Sequence, residues 1–218
     1  MIRLAILDTG SGNLASVKQA VEQAAETAEI AVKVAVTTSV ADIRAADRII
    51  LPGQGAFAAV KKGLDALDGM QDALEERVRA QGAPFFGICV GMQILFERGL
   101  ENGVSFGLGW FGGQIAPMDP KGPDGQPLPL PQMGWNALDF EEGYHPVLDG
   151  IEAGSHVYFV HSYAAIGHDE DFVIATTDYG GPVVAMMARA NIVAAQFHVE
   201  KSGDVGLTML GNFLRWEP

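Results

Sequence analysis

A thiol, an imidazole and a carboxylate are the parts of a cysteine hydrolase, and the chain supplies each in a suggestive setting. Its only cysteine, Cys89, lies in "PFFGICVGMQILFERG", with Gly87 and Gly91 two residues away on either side. An apolar run, a glycine-flanked thiol and a further apolar run fit a buried strand turning sharply into a helix. In α/β hydrolases that turn holds a nucleophile at the carboxyl edge of the sheet. Small residues on either side let strand and helix approach closely, and a helix N-terminus just beyond would favour thiolate over thiol. On its own, a lone cysteine is more often a small buried hydrophobe.

A thiol nucleophile needs a base, and the base needs a group that orients it. Of the five histidines, His145 precedes a proline in a turn, His168 lies among acidic residues, and His156 and His161 flank a β-run. Those are ordinary settings. His198 differs, because "AAQFHVEKSG" leaves an apolar strand and places Glu200 two positions later. On a continuing strand, residues i and i+2 share a face. Glu200 would then accept from one ring nitrogen while the other meets the thiol. Taken alone, the pair reads as readily as an exposed ion pair beside Lys201. Acyl-transfer chemistry also needs donors for a developing oxyanion. The Val90 N–H, just after Cys89, is one. "LPGQGAF", with Gly53 and Gly55, has a backbone free to present a second.

The elements that would position these groups alternate. "IRLAIL" is an apolar run closed by the polar turn "DTGSGN", and "LASVKQAVEQAAE" has apolar residues near helical spacing. Strands are expected at Ile30 to Val36 and Ile49 to Leu51, then helix with a break near Gly69. "PFFGI" is expected as a fourth strand and "GMQILFERG" as the start of a fourth helix. This alternation predicts an α/β fold: a mostly parallel open sheet with helices on both faces. The C-terminal half adds short β-runs with turn signals, expected as partly antiparallel strands, and "SGDVGLTMLGNFLRW" reads as a closing helix. "APMDPKGPDGQPLPLPQ" between two strands is too rich in Pro and Gly for regular structure, and is expected as a solvated insertion. No repeat or linker divides the chain, so residues 1–218 are expected to form a single domain.

Composition narrows the function. The 218 residues are 48% hydrophobic and 19% charged, with a formal net charge of −13. No Lys/Arg cluster offers the counterion-releasing surface that nucleic acid or an anionic membrane needs. The N-terminus enters a strand pattern at once, and no apolar run reaches membrane-spanning length, so the cytosol is expected. One cysteine excludes an internal disulfide framework and a multi-thiolate metal site. No metal or cofactor is expected.

Several motifs together resemble a known family. "GICVGMQ", "LPGQGAF" and "FHVEKS" are similar to the class I (triad) glutamine amidotransferases. "DTGSGNLASV", "PQMGWN", "YFVHSY" and "QFHVEKS", in this order, resemble within that class the glutaminase subunits of imidazole glycerol phosphate synthases, in histidine biosynthesis. The resemblance spans nearly the whole chain. It implies a catalytic set of Cys89, His198 and Glu200, with an oxyanion hole from Val90 and from Gln54 after a peptide flip. It implies glutamine binding by Gly55, Gln93, Glu101, His161, Ser162 and Tyr163. It also implies that ammonia passes to a (β/α)8 cyclase in a heterodimer, with Asn13, Trp135, Tyr158 and Lys201 near that interface. Low glutaminase activity alone, rising when the cyclase binds its nucleotide, is expected on the same ground.

The sequence departs from the family pattern at Thr9 (commonly aromatic), Gln54 (usually valine), Gln132 (commonly histidine) and Val199 (usually proline). Val199 suits a strand and is expected to keep the His198–Glu200 geometry. Gln54 is expected to bias the peptide flip; unchanged basal and stimulated rates in Gln54→Val would count against that. Other readings fit subsets of the motifs. They are a class I glutaminase feeding anthranilate, GMP or pyridoxal phosphate synthesis, a cysteine hydrolase of peptides or esters on the same scaffold, and a binding domain with a degenerate site.

Overall fold

The computed structural model describes residues 1–218. The first third alternates strictly. Strand β1 (Ile2–Leu7) leads through helix α1 (Leu14–Thr27) to β2 (Val32–Thr37), then α2 (Val40–Ala45) and β3 (Arg48–Gly53). Asn13 and Ser39 cap the two helices by accepting from the Ser16 and Asp42 amides, satisfying N–H groups that a helix start leaves free. Helix α3 (Phe57–Asp65) is separated from α4 (Met70–Leu74) at Gly69, whose φ of +72° breaks the helix where the sequence predicts. A π-helical turn, Glu75–Ala80, continues α4. Strand β4 (Phe85–Cys89) follows, buried along its whole length, as a continuous apolar run in a covered parallel sheet must be.

After Cys89 the structure departs from expectation. Helix α5 (Val90–Gln93) is a single turn, and "ILFERG" forms β5 (Phe96–Gly99) instead of more helix. Two packing facts explain this. Helix α5 sits directly on the end of β3: a Cβ on Gly91 would lie 1.8 Å from the Leu51 carbonyl oxygen. Beyond it, β5 finds a parallel partner in β7 (Phe111–Pro117) and an antiparallel one in the two-residue β6 (Ser105–Phe106). Tertiary pairing outweighs the local helical pattern. The expected helix dipole at Cys89 is reduced to one turn.

The remaining strands are β8 (Gln132–Ala137), β9 (His156–His161), β10 (Tyr163–Ile166), β11 (Val173–Asp178), β12 (Pro182–Arg189) and β13 (Ile192–Ala195). Helix α6 (Gly203–Arg215) closes the chain. The main sheet has the order β11-β12-β13-β4-β3-β1-β2; its five strands from β13 to β2 are parallel, and β11 and β12 are antiparallel additions. Moving from β1 to β2 and then back across to β3 reverses direction. Right-handed crossovers therefore place α1 and α2 on opposite faces. Accordingly α1 packs with α6, and α2 packs with α4. A mixed sheet, β10-β7-β5-β6, and the β8–β9 hairpin complete the C-terminal half. The proline-rich segment between β7 and β8 is not a free insertion. Lys121 and Pro127 bridge within it, the Tyr179 hydroxyl donates to the Pro129 carbonyl at 2.7 Å, and Gly180 leaves room for the Lys121 backbone. No helix is long and apolar enough to cross a membrane.

Candidate active site

Strands β3, β4 and β13 end side by side. Gly53 pairs with Cys89 and Ala195 with Ile88, so Gln54, Cys89 and the segment after β13 emerge at one edge of the sheet. Cys89 adopts φ +54°, a left-handed conformation that a side chain adopts at a cost of about 1–3 kcal/mol. This places the thiol at the sharp strand-to-helix turn. Glycines around the turn are required by contact: Cβ atoms on Gly87, in β4, and on Gly53, opposite Cys89 in β3, would approach the Gly91 backbone to 2.9 and 2.6 Å.

A cavity of about 250 Å³ opens here. Gln54, Gly55, Cys89, Val90, Gln93, Glu101, His161, Ser162, Tyr163 and His198 all line it. Every residue expected to bind glutamine or stabilise an oxyanion is thus brought to one place. Glu200 is not a lining residue; it stands behind His198, its side chain 2% exposed. Val90 is the first residue of α5, where a helix leaves its N–H without an intrahelical partner. Gly55 follows the exposed Gln54 with φ +93°.

His198 Nδ1 and Glu200 Oε1 are 2.8 Å apart. The residue types are as the sequence suggests, but the geometry is not a strand. β13 ends at Ala195, and Val199–Lys201 is a 3-10 turn that begins directly after His198. The turn folds Glu200 back under the imidazole. Val199 is its first residue and is 1% exposed, a position that suits the proline usual in the family. The His198 backbone is anchored on both sides: its N–H donates to the Tyr158 carbonyl at 2.9 Å, and its carbonyl accepts from the Ser202 hydroxyl at 2.7 Å. Burial disfavours the charged imidazole. The neighbouring Cys89 and Glu200 favour it more, and together they raise His198 to about 9. A cationic imidazole beside the Cys89 side chain is therefore favoured.

His161 is the opposite case. Burial drives it down to about 4, with the nearby His198 adding to the effect. Its Nδ1 faces the Tyr163 carbonyl at 2.9 Å, which requires that nitrogen to carry the proton of the neutral ring. Gln93 donates through Nε2 to the Tyr163 carbonyl (3.3 Å) and to Gln196 Oε1 (3.0 Å). Glu101 Oε2 accepts from the Phe57 amide at 2.8 Å.

The sequence reading missed three residues. Pro131 and Val160 line the cavity, and Gln196, 1% exposed, reaches the Cys89 sulfur at 3.9 Å. A glutamine directly after a wholly apolar strand was the available signal for the last. The four residues expected at an interface lie outside the cavity lining. Trp135 and Tyr158 pair across β8 and β9 with ring centroids 5.9 Å apart, the Lys201 ammonium stands 6.0 Å above the Tyr158 ring, and Asn13 caps α1. Of the remaining histidines, His145 accepts from the Val147 amide and packs on Trp216, and His168 pairs with Glu170.

Fold and site together define a class: residues 6–216 match the family glutamine amidotransferase class-I, and the chain belongs to it. Over its full length the chain is 51% identical to the imidazole glycerol phosphate synthase subunit HisH of Granulibacter bethesdensis, covering 97% of that protein. It is 48% identical to the subunit of the same name from Rhodospirillum rubrum, each chain covered completely. Among solved structures, a glutamine amidotransferase shares the fold at TM-score 0.68 and 19% identity, with 94% of both chains covered. One from Thermotoga maritima does so at 0.58 and 13%, covering 91% of this chain and 76% of that one.

Proposed function

We propose that this chain is the glutaminase subunit of an imidazole glycerol phosphate synthase, acting in histidine biosynthesis as one glutamine amidotransferase domain spanning residues 1–218. The carrying observation is the gathering of Cys89, His198 and Glu101 in one cavity, in a chain similar over its whole length to subunits of that synthase.

In this reading the ionised Cys89 sulfur attacks the side-chain carbonyl carbon of glutamine. The C–N bond breaks as His198 gives its proton to the leaving nitrogen, releasing ammonia and leaving a thioester. His198 then takes a proton from water, whose oxygen attacks the thioester carbon. The C–S bond breaks, and glutamate leaves with the thiolate restored. Glu200 holds the imidazole through Nδ1, so Nε2 performs both transfers. The Val90 and Gln54 N–H groups stabilise the oxyanion, the second after its peptide turns inward. Glu101 pairs with the substrate ammonium; Gly55, Gln93, His161, Ser162 and Tyr163 complete the pocket.

The partner is a (β/α)8 cyclase that joins the ammonia to a phosphorylated ribulosyl aminoimidazole carboxamide nucleotide, giving imidazole glycerol phosphate and AICAR. Exposed Trp135, with Tyr158 edge-on beside it and Lys201 over the Tyr158 ring, supports a docking face there; the family resemblance adds Asn13 to the interface. The heterodimer is expected in the cytosol. The test is glutamine hydrolysis by wild type and Cys89→Ser, with and without a cognate cyclase and its nucleotide. Low basal turnover, strong stimulation and loss in the variant are expected. Turnover that needs Cys89 but ignores the cyclase would retain the glutaminase and refute the assignment to this synthase.

A further inference from the structure

Gln196 reaches the Cys89 sulfur, yet the mechanism above does not use it. It follows β13 directly. The parallel pairing of Ala195 with Ile88 brings it level with Cys89 on the neighbouring strand. Its backbone N–H is held by the Ala185 carbonyl at 2.8 Å, and its side chain is 1% exposed. A buried carboxamide needs partners at both ends, and Gln196 has them. Oε1 accepts from Gln93 Nε2 at 3.0 Å, and Nε2 reaches the sulfur at 3.9 Å.

The orientation of this amide follows from its neighbours. Gln93 Nε2 is also bound to the Tyr163 carbonyl, an acceptor only, so the Gln93 group facing Gln196 is a donor. Gln196 must then turn its oxygen to Gln93, which leaves its NH2 as the group facing Cys89. An N–H aimed at sulfur interacts weakly with a thiol and strongly with a thiolate. The 3.9 Å separation leaves room to shorten as charge develops.

We propose that Gln196 is a positioning residue for the Cys89 thiolate, its NH2 holding the sulfur at the cavity wall while Gln93 locks the amide the right way round. The inference takes Cys89 as the reacting thiol but needs neither glutamine nor the cyclase. The titratable groups sharing the cavity with the sulfur are His198, His161, Tyr163 and Glu101, with Glu200 acting through His198. The apparent midpoint of Cys89 reactivity therefore belongs to the Cys89–His198 pair, and Gln196 shifts it.

The experiment is the rate of Cys89 alkylation by iodoacetamide against pH, on the intact chain. Gln196→Met keeps the length and removes the donor. Gln196→Glu keeps the bond to Gln93 and puts a carboxylate oxygen against the sulfur. We expect the midpoint to rise by about one pH unit in Gln196→Met and further in Gln196→Glu. In the cyclase complex, assayed at least one pH unit below the wild-type midpoint, kcat should fall about tenfold with little change in KM for glutamine, since there one unit of midpoint is a tenfold change in thiolate population. A folded Gln196→Met with the wild-type midpoint overturns the proposal. Should that variant not fold, Gln196→Glu carries the test, and an unshifted midpoint there overturns it equally. A shifted midpoint in a chain that hydrolyses no glutamine under any condition would sustain the role of Gln196 and refute the glutaminase reading.

Discussion

One oxygen of the Glu101 carboxylate accepts a 2.8 Å hydrogen bond from the Phe57 amide, the first N–H of α3. The preceding residue, Ala56, offers no side-chain cap, so a residue 44 positions along the chain takes that role. Glu101 also lines the cavity. It therefore joins the cavity to the segment that runs from Gln54 into α3.

The two roles of Glu101 separate by substitution. Glu101→Gln keeps an acceptor for Phe57 and loses the charge; KM for glutamine should rise by about tenfold or more, a charge-assisted bond being roughly 1.5–3 kcal/mol. Chemical denaturation should barely move. Glu101→Ala removes both, and should also destabilise the fold by about 1 kcal/mol, the scale of a lost helix cap. Equal stability in the two variants would show that the Phe57 bond contributes nothing.

His198 and His161 shape the pH dependence of stability from opposite sides. His198 is raised from 6.5 to about 9. Its stabilisation is complete below 6.5 and is lost as pH rises through 9. His161 is lowered from 6.5 to about 4. Its neutral ring is favoured in the fold above 6.5, and that advantage is lost as pH falls toward 4. Each is worth of the order of 3 kcal/mol by linkage. Denaturant melts between pH 4 and 9.5 should show a maximum near 6.5. His198→Asn should flatten the alkaline limb and His161→Asn the acid one; an acid limb unchanged in His161→Asn would refute the second assignment.

Gly91→Ala should be among the most damaging single-methyl changes in the chain. The added carbon would meet the Leu51 carbonyl oxygen, which belongs to a buried central strand and cannot yield. A loss above about 3 kcal/mol is expected, read as a large fall in Tm. Gly112→Ala, where a Cβ meets nothing within 4 Å and the backbone is not left-handed, is the control.

Trp135 is 53% exposed and meets the Tyr158 ring edge-on. Trp135→Ala should alter stability by less than about 0.5 kcal/mol, as surface changes do. Affinity for the cyclase should fall about thirtyfold, as expected of an aromatic anchor. Titration calorimetry against the cyclase would measure it, and undiminished affinity would remove Trp135 from the docking face.

Much of this was legible in the chain. Apolar runs closed by polar, glycine-bearing turns announced the parallel strands β1, β3 and β4, and Gly69 marked a helix break, because these features are set by local backbone chemistry. Cys89, His198 and Glu200 were legible by type and spacing. What was hidden depends on partners distant in sequence. The stretch after Gln93 became β5 because β7 was there to pair with it. Glu200 reached His198 through a tight turn rather than along a strand, since β13 ends three residues before the imidazole. The proline-rich loop is largely exposed, as expected, but it is also tethered to Tyr179 and Gly180, a contact without a signature in its own composition. Gln196 was marked only as a polar residue directly after an apolar strand, and nothing near it in sequence shows that its amide reaches Cys89.

The edge where β3, β4 and β13 finish also bears on how the molecule is made. Gln196 and the cysteine it touches are 107 residues apart, and β4 gains its second neighbour only when β13 arrives. Contacts of such separation form late, after the loop-closure entropy has been met. During synthesis, β4 leaves the ribosome well before the strand that flanks it. A nascent or partly folded chain in which β13 has not docked therefore leaves the Cys89 sulfur without that cover, open to oxidants and alkylating agents. Reactivity of Cys89 in a refolding time course would thus report the docking of β13.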